Sequence, residues 1–107
     1  MTVLSTAPTY YPDTDEVVLH VPCELDGATL PRTRAELDEV LGQRPARVVV
    51  DLTGCPFLDA AALGVLLEAH RTASRYGGEL ELRGCSARVL RLLSLTGLGR
   101  VFHTTAA

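Results

Sequence analysis

Three consecutive valines, Val48-Val49-Val50, lie between Arg47 and the pair Asp51-Leu52. A short β-branched run with no polar alternation reads as a strand covered on both faces. A turn, Thr53-Gly54-Cys55-Pro56, follows it, and the residues from about Ala61 to Arg75 then carry a helical period. Ala62, Leu66, Ala69 and Ala73 fall on one stripe, with Leu63, Leu67 and His70 beside it. Gly64, Glu68, Arg71 and Arg75 fall on the opposite side, as expected of a helix with one buried face. Gly77-Gly78 ends this helix, since either glycine can take a left-handed cap. Glu79-Leu80-Glu81-Leu82-Arg83 alternates and reads as the next strand. Two strands joined by such a helix run parallel in one sheet, through a right-handed crossover.

The flanking sequence extends the pattern. Glu16 to Val21 reads as a strand that Pro22 ends. Glu24-Leu25-Asp26-Gly27 is a turn, Asp26 or Thr29 can cap the next helix, and Pro31 is tolerated in its first turn. Leu30, Leu37, Val40 and Leu41 form its apolar stripe, and Gly42 and Pro45 stop it. Ser86 caps a short helix containing Val89, Leu90, Leu92 and Leu93, and Thr96-Gly97-Leu98-Gly99 turns the chain. Arg100 to His103 reads as a last strand, and residues 104–107 are left unassigned. Residues 1–9 read as a tail or an edge strand. The sum is a single α/β domain over residues 1–107, with its core at about 16–103 and a mostly parallel sheet of four or five strands. The residues leave open whether the helices share one face of that sheet.

Composition limits the partners. Among 107 residues the formal net charge is -3, and all ten basic residues are arginine, with no long basic run. That gives no electrostatic footprint for nucleic acid or an anionic membrane. No apolar segment approaches about 18 residues and no leader is visible, so the chain reads as cytoplasmic with no membrane insertion. Cys23, Cys55 and Cys85 are too few and too widely spaced for a disulfide framework and read as buried thiols.

Enzyme chemistry finds no foothold. There is no glycine-rich phosphate loop, and His20, His70 and His103 sit in different elements. No Cys/His pair has zinc spacing. Asp51 and Asp59 are the only acids near strand ends that look placed for a site, and they read as a strand end and a helix cap rather than metal ligands. His70 reads as a packed histidine with one polar contact. No cofactor and no metal are expected.

The segment from Val49 through Pro56-Phe57-Leu58-Asp59-Ala60-Ala61-Ala62-Leu63-Gly64 resembles the central motif of STAS domains, specifically the bacterial anti-sigma factor antagonists. Glu24-Leu25-Asp26 with Thr29, Tyr76-Gly77-Gly78-Glu79-Leu80, and Leu95-Thr96-Gly97-Leu98 with Val101 and Phe102 resemble further family segments in the same order. The resemblance spans about Glu16 to Phe102. It implies helices largely on one face of the sheet and an early strand within residues 3–10. It implies a non-catalytic domain that binds an anti-sigma factor, often a serine kinase of the histidine-kinase-like ATPase class. In the family, that kinase phosphorylates a serine at the start of the helix after the central strand, and the complex breaks.

On this chain the family's Asp-Ser-Ser-Gly stands as Asp59-Ala60-Ala61-Ala62. The phosphoacceptor position is Ala61, which has no oxygen to accept a phosphoryl group, so the usual switch is lost there. The resemblance implies a partner surface of Asp26, Asp59, Ala60, Ala61, Ala62, Gly64, Glu68 and Arg71. Cys23 stands where the family has glycine, so its turn must suit a side chain. Many relatives continue into a final helix, whereas this chain stops at Ala107, which leaves a minimal domain, a truncated chain and an apolar surface for a homodimer all open. The alternative reading is an accessory or scaffold domain of a stress-signalling assembly or a transport ATPase complex.

Overall fold

The valine run is the middle strand of a five-stranded sheet in the computed structural model, which describes residues 7–107. In chain order the elements are β1 (Thr9–Tyr11), β2 (Glu16–His20), α1 (Leu30–Gly42), β3 (Arg47–Asp51), α2 (Ala60–Arg75), β4 (Glu79–Cys85), α3 (Ala87–Leu95) and β5 (His103–Ala106). The strands are ordered β1-β2-β3-β4-β5. β1 is antiparallel to β2, and every other pairing is parallel. With strand order rising steadily from β2 to β5, three right-handed crossovers must place α1, α2 and α3 on the same face.

Register decides which residues meet those helices. Val17 pairs with Val48 and Val48 with Leu80, while Leu19 pairs with Val50 and Val50 with Leu82. These six side chains are buried in one core with Leu37, Val40 and Leu41 of α1 and Ala62, Leu66, Ala69 and Ala73 of α2. The helical stripes of the sequence therefore face inward as expected. α2 ends in the glycine cap foreseen for it. Gly77 takes φ +84°, and the Gly77 and Gly78 N–H groups donate to Ser74 and Ala73 carbonyls at 3.1 and 2.9 Å.

Among the described residues, no helix covers the other face of the sheet. Val49 is fully buried there, and Val18 nearly so, but beneath charged side chains rather than a second apolar layer. Arg47 pairs with Glu16 at 3.3 Å, Glu79 at 3.7 Å, and Glu81, which in turn accepts from Arg83 Nε at 2.9 Å. The expectation of a strand covered on both faces is met in burial, and by ion pairs in place of helices.

Two boundaries differ from expectation. The last strand is His103–Ala106, whereas residues 99–102 form a turn. Gly97 at φ +74° closes α3, Val101 N–H bonds Leu98 O, and Phe102 turns its ring into the core against His70, with centroids 5.7 Å apart. Phe102 is thus core filling rather than strand, and β-branched Thr104 and Thr105 supply the strand instead. The early edge strand is Thr9–Tyr11, while residues 1–6 lie outside the described residues.

Candidate functional site

Parallel sheets present their loops at the carboxyl ends of the strands, and there they form rims able to bind. Here the rim consists of residues 21–29 after β2, residues 52–59 after β3, and Ser86 after β4. Backbone bonds carry the ladder past the strands: Val21 N–H to Asp51 O at 3.0 Å and Leu52 N–H to Arg83 O at 2.7 Å. Buried Leu25 and Leu58 pair as an isolated parallel bridge. Around it, Leu25 N–H donates to Phe57 O and Asp59 N–H to Leu25 O, both at 3.1 Å. The first two loops are therefore tied to each other through backbone bonds.

Asp59 takes an extended backbone and caps α2, its Oδ1 accepting from Ala62 N–H at 2.8 Å. Ala60 and Ala61 follow on the first turn and are exposed. Gly64, Glu68 and Arg71 continue the exposed side at helical spacing, and a Cβ at Gly64 would meet nothing within 4 Å. Glu68 pairs with Arg34 of α1 at 3.6 Å. Asp26 is exposed on the adjoining loop. Its Oδ1 accepts from the N–H groups of Ala28 at 2.9 Å and Thr29 at 3.2 Å, and these bonds hold its carboxyl below the ordinary range. Thr29 stands at the N-cap of α1 but makes no cap bond; its hydroxyl donates to Glu24 O at 2.6 Å.

Seven of the eight sequence-predicted site residues thus lie on the rim or the exposed ridge of α2. Ala62 does not: its side chain is fully buried in the core. It occupies the third helical position, where the inward stripe begins, so only its N–H serves the rim.

Sequence reasoning missed how α3 joins this surface. Ser86 caps α3 by accepting from Val89 N–H at 3.1 Å, and its hydroxyl also donates to Pro56 O at 2.9 Å. Arg88 lays its guanidinium 4.4 Å from the centre of the Phe57 ring. Both contacts link residues about 30 positions apart, and only the cap had a local signal.

The chemistry of the rim is quiet. Cys55 and Cys85 are buried, and desolvation raises both thiols, Cys85 to about 11, so neither is a ready thiolate. Cys23, expected to be buried, is exposed, because Pro22 ends the strand and puts it on the loop. Its backbone is not in the left-handed region, so the turn does accept a side chain. Burial would raise the Asp51 carboxyl, but bonds from Thr53 and His20 outweigh it and hold it low; His20 Nδ1 lies 3.1 Å from Oδ2. His70 Nδ1 is buried without a hydrogen-bond partner, so the one polar contact expected of it is missing among the described residues. Among the described residues no group of three or more His, Cys, Asp or Glu could hold a metal ion. No helix among them is long and apolar enough to cross a membrane.

A shallow rim of small side chains and capped backbone, set on a rigid sheet, defines a small α/β binding domain. The STAS domain pattern matches residues 7–107, and the chain belongs to that family of non-catalytic regulatory domains. It is 32% identical to an anti-sigma-B factor antagonist of Listeria monocytogenes, over 85% of this chain and 80% of the relative. It is 26% identical to the Bacillus subtilis anti-sigma-B factor antagonist, over 86% of this chain and 84% of that one. Among solved structures, an anti-sigma factor antagonist from Mycobacterium paratuberculosis superposes with a TM-score of 0.83 at 22% identity, covering 96% of this chain and 86% of that one. The phosphorylated form of the Bacillus cell fate determinant SpoIIAA gives 0.67 at 20% identity, covering 87% and 85%.

Proposed function

We propose that this protein is an anti-sigma factor antagonist that cannot be released by phosphorylation at the start of α2. The observation that carries this reading is the pair Ala60 and Ala61, exposed on the first turn beside the Asp59 cap with no hydroxyl between them. The partner is an anti-sigma factor, here a serine kinase of the histidine-kinase-like ATPase class. Support for the partner class comes from the relatives named as antagonists of anti-sigma factors. A phosphate would add about -1.5 to -2 charge and three acceptor oxygens. Placed next to the Asp59 carboxylate, it would repel and hydrate a surface that must lose its water to dock. Alanine removes that choice and leaves a neutral, low contact. The partner would rest on Asp26, Asp59, Ala60, Ala61, Gly64, Glu68 and Arg71.

The test is to assemble the protein with the anti-sigma kinase of its own cells and add Mg-ATP. The complex is expected to persist on size exclusion, with no phosphate at residues 59–64 by mass spectrometry. ATP-dependent dissociation would overturn the proposal. Capture of a transport ATPase or a stress-assembly component, with no anti-sigma factor bound, would move the protein to the accessory-domain reading.

A further inference from the structure

The three cysteines, far apart in sequence, come together at the carboxyl end of the sheet. Pro22-Cys23 and Gly54-Cys55 lie on facing loops whose backbones touch: a Cβ on Gly54 would sit 3.1 Å from Val21 O and 3.3 Å from Pro22 Cα. Before this contact Val21 N–H donates to Asp51 O at 3.0 Å, and beyond it Leu25 pairs with Leu58 in a parallel bridge. Cys23 and Cys55 are the next residues after the touching pair, between those two ties. The Leu25 backbone hydrogen-bonds the Cys55 thiol, which itself donates to Phe57 O at 3.2 Å. Desolvation raises the Cys55 thiol, the Leu25 and Phe57 backbone bonds oppose that, and electrostatic interaction with Cys23 adds to it. Desolvation, then Cys55, raises Cys85 in the same way. Cys23 is exposed, whereas Cys55 and Cys85 are buried.

We propose that Cys23 and Cys55 are a redox pair, which hydrogen peroxide closes into a disulfide across the two rim loops. The oxidant reaches Cys23 first, because Cys55 has no exposed surface. Cys23 Sγ attacks one peroxide oxygen: the S–O bond forms, the O–O bond breaks, and the thiol proton leaves with the departing oxygen as water. Cys55 Sγ then attacks the sulfenic sulfur: the S–S bond forms, the S–O bond breaks, and a second water carries off the Cys55 proton. The two thiols lose two electrons, and the peroxide gains them. A raised thiol supplies little thiolate, but the Cys55 sulfur is held against the Cys23 loop, which replaces a bimolecular encounter. Closure leaves no orphaned carbonyl, since Phe57 O loses the Cys55 donor but keeps Leu25 N–H at 3.1 Å. The reduced loops already hold together through backbone bonds, so the cross-link is a switch rather than a structural staple. It joins the loop that carries Asp26 to the loop that carries Asp59, whether or not Ala61 acts as proposed.

The test exposes the full, reduced chain to stoichiometric hydrogen peroxide under native conditions. Free thiols are expected to fall from three to one, with no covalent dimer on a non-reducing gel. Peptide mapping should join Cys23 to Cys55, and dithiothreitol should restore all three thiols. Cys23→Ser, at an exposed position, should keep both of its thiols at the same dose. Cys85→Ala should still lose two. Cys55→Ala should stop at the sulfenic acid, which dimedone labels several-fold more than in the native chain. Should that buried substitution unfold the domain, the mapping and Cys23→Ser still decide. A native chain that accumulates sulfenic or sulfinic acid at Cys23 while Cys55 stays reduced would overturn the proposal. So would a Cys55–Cys85 bridge, an intermolecular Cys23 bridge, or the loss of two thiols in Cys23→Ser.

Discussion

Replacing Asp59 with alanine removes the one side chain that accepts a backbone N–H at the start of α2. The lost cap costs about 1 kcal/mol, near the middle of the range for such positions. A carboxylate at a helix N-terminus adds about 0.3–1 kcal/mol through the helix dipole. Together these predict a loss of about 1.5–2 kcal/mol, or roughly 6–12 °C in Tm for a domain of this size. Asp59→Asn keeps an acceptor in place and removes only the charge, so it should lose about 0.3–1 kcal/mol. Urea unfolding followed by far-UV circular dichroism measures both variants, with the slope unchanged if the transition remains two-state. A loss below about 0.3 kcal/mol for alanine, or equal losses for alanine and asparagine, would refute the capping argument. The consequence reaches the proposed binding surface, because a frayed first turn would take Ala60 and Ala61 with it.

Two further outcomes follow from the sheet. Gly84 lies at φ +70° where the register of β4 and β5 shifts, and a Cβ there would collide with Thr53 Oγ1. Gly84→Ala should therefore cost about 1–3 kcal/mol in urea unfolding, and a neutral result would refute the close approach. On the helix-free face, burial alone would raise the Glu81 carboxyl, but Arg47 and Arg83 outweigh it and hold it low. A folded-state pKa below the unfolded one gives stability that is complete above the unfolded pKa and is lost as pH falls through the folded value. Tm should thus drop as pH falls below about 4, and Glu81→Gln should flatten that drop while lowering stability at neutral pH. A Tm that stays level down to about pH 3 would contradict it.

Much of this architecture is local and so was legible. The valine strand, the stripe Ala62–Leu66–Ala69–Ala73 and the glycine stop at Gly77 all announce themselves within one or two turns of chain. What escaped was decided by distant residues. Val101 and Phe102 look like strand, yet Phe102 is drawn into the core beside His70, and the strand begins one residue later. Arg47 and Glu81 have no shared pattern in sequence, being 34 residues apart, and only the parallel register brings them together. The site shows the same division. Asp59, Ala60 and Ala61 were readable from the strand–turn–helix junction and the STAS resemblance. Ala62 belongs to motif and core stripe alike, and its place as third residue of the helix settles it inward. The ties from Ser86 to Pro56 and from Arg88 to Phe57, which bring α3 to the rim, had no sequence signal beyond the cap.

On the proposed function, the missing hydroxyl at the start of α2 holds the complex together in the presence of ATP. The direct measurement compares the protein with its Ala61→Ser variant, each bound to the anti-sigma kinase, before and after Mg-ATP. Position 61 is exposed, so the serine should change stability by less than about 0.5 kcal/mol and leave binding without ATP intact. ATP is expected to phosphorylate the variant at position 61 and release it, while the native chain stays bound. Release of both proteins, or a phosphorylated variant that remains bound as tightly as the native chain, would contradict it.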